Sequence, residues 1–159
     1  MTQRPDTDLL LRQMASLLED CDRPIASLAN ASALLWHALP SLNWCGFYLL
    51  SGQELVLGPF QGKIACMRIA LGRGVCGNAA MLRKTLRVPD VHAFPGHIAC
   101  DSASNSEIVV PLYGNEDRIM GVLDLDSPLL DRFSETDEAF LNQFATLLCE
   151  QIDWKHGWI

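Results

Sequence analysis

The chain has 159 residues, 49% of them hydrophobic and 19% charged, with a formal net charge of −7. This suits one domain with a buried core, and the acidic balance sets aside phosphate backbones and anionic lipid as partners, so neither a nucleic-acid nor a membrane role is expected. No apolar run approaches the roughly 20 residues of a bilayer span, and the first residues lack the basic-then-apolar pattern of a secretory signal, so the expected location is cytoplasmic.

Two amphipathic helices open the chain. Leu10, Met14, Leu17 and Leu18 fall on one helical stripe. After Asp22-Arg23, Pro24 suits a first helical turn, and Ile25, Leu28, Ala29, Ser32, Leu35, Trp36 and Leu39 continue at helical spacing. From Asn43 the texture changes to short apolar runs at 44–50, 54–58 and 64–70, read as consecutive strands with a hairpin turn at 51–54. Residues 74–82, rich in small side chains, read as a turn entering a short helix. A polar loop then leads into strands at 106–114 and 118–127, joined by a turn at 115–117. Ser134 and Asp137 predict a capped final helix that buries Leu141, Phe144, Ala145, Leu148 and Ile152. Helices at both ends with adjacent strands between them predict an α+β fold: a single domain over 1–159, its antiparallel sheet covered by helices on one side.

Six cysteines punctuate this pattern, and no CxxC pair occurs. In a reducing compartment they are expected as thiols, any disulfide being transient and catalytic. Cys21, Cys45 and Cys149 read as small hydrophobes. Cys66 follows a Gly-Lys turn, Cys100 lies in the polar loop, and Cys76 precedes a helix whose free N–H groups would favour a thiolate; these three are the candidates for chemistry. Asp124 and Asp126 stand two apart in an apolar strand, so both leave one face of the sheet roughly 7 Å apart. Glu107 opens the preceding strand. Such carboxylates are either a solvated strand end or a cluster that binds an ammonium group or supplies a proton. Trp44 and Tyr48 share a strand face, as core packing or as an aromatic wall. His92, His97, Cys100 and Cys76 offer metal-ligand types, but their spacing matches no tetrahedral motif and no metal is expected. Gly-x-Ser-x-Gly, Gly-x-Gly-x-x-Gly and P-loop patterns are absent.

The strings GPFQGKIAC (58–66), GRGVCGNAA (72–80), VPDVHAFPGHIACDSASNSEIVVP (88–111) and GVLDLDSP (121–128) together resemble the free methionine-(R)-sulfoxide reductases, small proteins built on a GAF domain. The likeness runs from about Trp44 to Pro128. Asn78 departs from it where a small hydroxyl residue is expected, and Leu86 where glutamine is common. The resemblance implies a GAF-type antiparallel sheet between helices, no bound cofactor, and reduction of the free amino acid rather than a peptide-bound residue. It also implies a nucleophile at Cys100, a resolving thiol at Cys66, and thioredoxin, recharged by NADPH through thioredoxin reductase, as external reductant. The role of Cys76 stays open between a backup resolving thiol and a substrate-loop residue. Trp44, Tyr48, Glu107, Asp124 and Asp126 map to the family's pocket, and Glu107 and Asp126 are favoured at the sulfoxide. The alternative reading is a non-catalytic GAF sensor of a small ligand. The terminal amphipathic helices could also pack against a second copy as a homodimer.

Overall fold

Asp6 caps the first helix, α1 (Thr7–Leu18), by accepting a hydrogen bond from the Leu9 N–H at 3.0 Å. Pro24 begins α2 (Pro24–Ala38), where its fixed φ suits the first turn and its missing N–H has no helical partner to lose. These are elements of a computed structural model that describes residues 4–98 and 100–157. Strands β1 (Trp44–Ser51) and β2 (Glu54–Gly62) form the expected hairpin, and β3 (Arg68–Ala70) adds one edge. Helix α3 (Gly74–Leu82) ends where Arg83 turns left-handed, and β4 (Leu86–Val88) adds the other edge. Strands β5 (Ser106–Tyr113) and β6 (Ile119–Ser127) complete the sheet before α4 (Glu135–Gln151), whose N-terminus carries the Ser134–Asp137 capping box.

All pairings are antiparallel, in the order β3-β2-β1-β6-β5-β4. Period-two alternation then divides the strands between two environments. Cys45, Phe47 and Leu49 of β1, Ile108, Val110 and Leu112 of β5, and Leu123 and Leu125 of β6 face α1, α2 and α4 in the larger core. Trp44 and Tyr48, Val109 and Val122 face the other way, against α3 and the loops. The expectation of a sheet covered on one side is thus corrected, since a second, smaller core fills the opposite face. Two further expectations change. Only 68–70 of the apolar run 64–70 pairs as a strand, because Ile64 and Met67 point into solvent. Strand β4 is too short, and too close to Arg83-Lys84, to have stood out. Among the described residues, no helix is long and apolar enough to cross a membrane.

Candidate active site

The smaller core contains carboxylates. Across the three central strands, Asp126 lies opposite Trp44 on one side and opposite Glu107 on the other, while Asp124 lies opposite Gly46 and Val109. The same alternation that sends Leu123 and Leu125 to the helices therefore gathers Trp44, Tyr48, Glu107, Asp124 and Asp126 at one cavity. Trp44 stacks between Tyr48 and Phe60, with ring centroids 5.7 and 5.2 Å away. Gly46 permits this, because a Cβ there would fall 2.3 Å from the Phe60 Cβ. Tyr48 donates its hydroxyl to the Cys66 carbonyl at 2.9 Å, tying the aromatic wall to the segment beside it.

The other side of the cavity comes from α3 and the β4–β5 loop. Gly74, with φ of +60°, starts α3 under Ile98, and a Cβ would lie 3.2 Å from that side chain. Asn78 holds this turn by donating to the carbonyls of Gly72 and Gly74 at 3.2 and 2.6 Å, so the departure from a hydroxyl residue has a structural use. Cys100 is exposed at the cavity mouth and is joined to Cys66 in a disulfide, with Cα atoms 6.0 Å apart. The loop is anchored by Asn43, which donates to Asp101 Oδ2 at 3.0 Å and to Ser104 Oγ at 2.9 Å. Asn105 closes it by donating to the Pro128 carbonyl at 2.7 Å. Nothing local in the sequence announced Asn43 and Ser104, whose partners lie far along the chain, or Arg73, which also lines the cavity.

Burial dominates the electrostatics. Glu107 and Asp124 are 6% and 5% exposed. Desolvation, then the neighbouring Asp124 and Asp126 charges, pushes Glu107 well above the usual carboxylate range. Desolvation, with Asp124 and Asp101 next, does the same to Asp126. Asp124 rises only to about 6, because hydrogen bonds from Glu107 and Cys76 support its charged form against desolvation. Burial thus favours the protonated forms of Glu107 and Asp126 around Asp124, whose Oδ1 has no hydrogen-bond partner among the described residues. His97 Nε2 stands 3.7 Å from Glu107 Oε2. Desolvation, and then His92, lowers the His97 pKa, which disfavours its charged form beside Glu107.

Cys76 requires a correction. Its thiol is buried, lies 3.9 Å from Glu107 Oε1, and is pushed well above the ordinary thiol range by desolvation and then by Asp124 and Glu107. Proximity to a helix start does not make it a thiolate, because burial, and then the neighbouring Asp124 and Glu107, outweigh the N–H groups. Cys76, Glu107 and Asp124 present ligand atoms within 4.8 Å of one another and could hold a metal ion. The four residues weighed from sequence, His92, His97, Cys100 and Cys76, do not form such a group: His92 bonds Asn105 Oδ1 at 3.0 Å and Cys100 is bonded to Cys66. Cys45 and Cys149 are packed as hydrophobes; desolvation lifts Cys149 to about 12.

A helix-flanked antiparallel sheet with an acid-lined cavity on its far face defines the class, and the GAF domain model matches residues 20–152. The free methionine-R-sulfoxide reductase of Escherichia coli (strain K12) is 57% identical over 124 residues, 78% of this chain and 74% of that protein. The Saccharomyces cerevisiae protein of the same name is 48% identical over 131 residues, 78% of this chain and 73% of that one. The structure of fRMsr of Staphylococcus aureus in complex with substrate superposes with a TM-score of 0.90 at 48% identity, covering 96% of this chain and 99% of that one. The chain belongs to the GAF-domain free methionine-R-sulfoxide reductases, a family of oxidoreductases.

Proposed function

We propose that the protein reduces free L-methionine-(R)-sulfoxide to methionine, with Cys100 as nucleophile, Cys66 as resolving thiol and thioredoxin as external reductant. The observation that supports this reading most is the pairing of Cys100 with Cys66 at the mouth of a cavity lined by Glu107, Asp124 and Asp126. A sulfoxide sulfur is a poor electrophile until its oxygen receives a proton or a strong hydrogen bond. Glu107 and Asp126, held protonated by burial, supply that proton, and Cys76 and Asp124 set their environment.

The thiolate of Cys100 attacks sulfur, methionine leaves, and the oxygen remains on Cys100 as a sulfenic acid. The Cys66 thiol then displaces that oxygen as water and forms the disulfide. Per turnover, one sulfoxide and two thiols become one thioether, one disulfide and one water. Thioredoxin returns two electrons by thiol–disulfide exchange and is itself recharged by NADPH through thioredoxin reductase. No bound cofactor is required, because cysteine carries all the redox change.

The same geometry supports selection of the free amino acid. The stacked Trp44 and Tyr48 offer an apolar wall for the methyl end of the substrate. The unpartnered Oδ1 of Asp124 offers an acceptor for the α-ammonium. Arg73 and the first N–H groups of α3 line the cavity opposite and suit the α-carboxylate. A peptide-bound residue lacks both charges.

A coupled assay with NADPH, thioredoxin reductase and thioredoxin tests the reading. The free R epimer should turn over, and the S epimer and an N-acetylated, esterified R analogue should not. Cys100→Ser should abolish methionine release, while Cys66→Ser should release about one methionine per enzyme and then stop. Absence of methionine release from the R epimer by the native protein would overturn the reading and favour a sensor.

A further inference from the structure

The segment that carries Cys66 differs in charge from the rest of the chain. Between Glu54 and Asp90 the sequence holds no acidic residue, yet it holds Lys63, Arg68, Arg73, Arg83, Lys84 and Arg87, half of the chain's 12 Lys and Arg. The chain as a whole carries −7, so this segment opposes the sign of its surroundings. Three of the cations, Lys63, Arg68 and Arg73, are exposed on the stretch that carries Cys66 and leads into α3. Arg68 lies 3.7 Å from Glu54, whereas Lys63 and Arg73 enter no ion pair among the described residues.

The same stretch carries the two most exposed large apolar side chains among the described residues, Ile64 at 90% and Met67 at 76%. They sit two residues before and one residue after Cys66. Neither is needed to close the core, and an exposed apolar pair beside a disulfide is a natural contact for a partner that must reach the bond. Asp101, on the Cys100 side, is half-buried and accepts hydrogen bonds from Asn43 and from the Ala103 N–H, at 3.0 and 2.9 Å.

We infer that Ile64 and Met67, rimmed by Lys63, Arg68 and Arg73, form the docking surface for a dithiol reductant whose thiols lie on an apolar, acid-rimmed face. The choice of occupant rests on the function proposed above, which requires thiol–disulfide exchange at this bond. It also rests on charge: cations around an apolar centre favour an acidic partner and steer its approach. A partner thiolate attacks one sulfur, the S–S bond breaks, and the other cysteine leaves as a thiolate. The partner's second thiol then displaces the mixed disulfide, so the partner ends oxidised and both cysteines end reduced.

The test uses the oxidised full-length protein without sulfoxide, following reduction of its disulfide by thiol quenching. Each run uses either a reduced acidic thioredoxin or dithiothreitol, a small neutral dithiol that needs no docking surface. The double variant Lys63→Glu/Met67→Glu should lower the thioredoxin rate constant about tenfold and leave the dithiothreitol rate within twofold. Arg118→Glu makes the same charge reversal at the β5–β6 turn, at the far end of the sheet from Glu107, and should leave both rates unchanged. The native thioredoxin rate should fall with added salt while the dithiothreitol rate does not. A double variant reduced by thioredoxin at the native rate would overturn the docking surface. Equal loss with both reductants would overturn it as well, since the bond itself would then have changed. Failure of the reductase reading is seen separately, as no methionine release from the R sulfoxide whatever the exchange rates.

Discussion

The two faces of one sheet are built from the same strands and do opposite things. Toward α1, α2 and α4 the strands present Phe47, Ile108, Leu112, Leu123 and Leu125, packed on Met14, Leu35, Leu141, Phe144 and Leu148. Toward α3 and its Cys76 thiol they present Trp44 and Tyr48 together with the buried Glu107 and Asp124 and the half-buried Asp126. On the first face burial of apolar area stabilises the fold. On the second, burial shifts proton affinities instead, at a cost in stability that the first face must offset. The comparison teaches that in this chain stability and chemistry share strands but not side chains, because alternation gives every second residue to each.

Substitutions can break that division of labour. The largest stability effect belongs to the helix face: Phe144→Ala leaves a cavity in a fully buried site and should destabilise the fold by about 3–5 kcal/mol in urea unfolding. Sulfoxide reduction by the folded fraction should stay near native, and a lost activity without lost stability would dissolve the distinction. On the other face the signs invert. Glu107→Gln replaces a carboxyl whose charge is disfavoured by burial, and should raise stability at pH 7 by about 1–3 kcal/mol while lowering kcat about a hundredfold or more. A variant that lost both would place Glu107 among the structural residues.

The smallest effect concerns Asp124, which is surrounded by Cys76, Glu107 and Asp126. Its folded pKa of about 6 lies above the ordinary 3.8, so the folded state holds this proton more tightly than the unfolded one. The contribution of Asp124 to stability is therefore greatest in acid and falls as pH rises from about 4 through about 6. Activity should run the other way. If ionised Asp124 holds the substrate ammonium, kcat/KM drops about tenfold per pH unit below about 6, or ~1.4 kcal/mol. In Asp124→Asn that acid limb should disappear and the KM for sulfoxide should rise. An unchanged limb in the variant would assign it to another group.

Much of this was legible in the sequence where local pattern rules. The spacing of Asp124 and Asp126, the position of Glu107 at the head of β5, and the Ser134–Asp137 cap all follow from periodicity and hydrogen-bond stereochemistry. The resemblance, not the spacing, supplied the pairing of Cys66 with Cys100. Illegible features depend on residues far apart in the chain. Asn43 anchors Asp101 and Ser104 across 58 and 61 positions, and no local rule for asparagine anticipates that. Cys76 looked activated by its helix, and instead burial, and then the carboxylates on β5 and β6, push its thiol up. The run 64–70 looked like a strand because Ile64 and Met67 are apolar, a property that burial does not explain there.

The register Trp44–Asp126–Glu107 places the row proposed to recognise the ligand on β1, β6 and β5, while Cys66 and Cys100 come from segments outside the sheet. The reactive sulfurs are thus separable from the receptor. With both cysteines replaced by serine, the remaining cup should bind the sulfoxide without consuming it, and the Trp44 fluorescence should report its occupancy. A lineage that lost those two loop residues would be left with a receptor for an oxidised amino acid: the step from enzyme to sensor, in this architecture, is two side chains long.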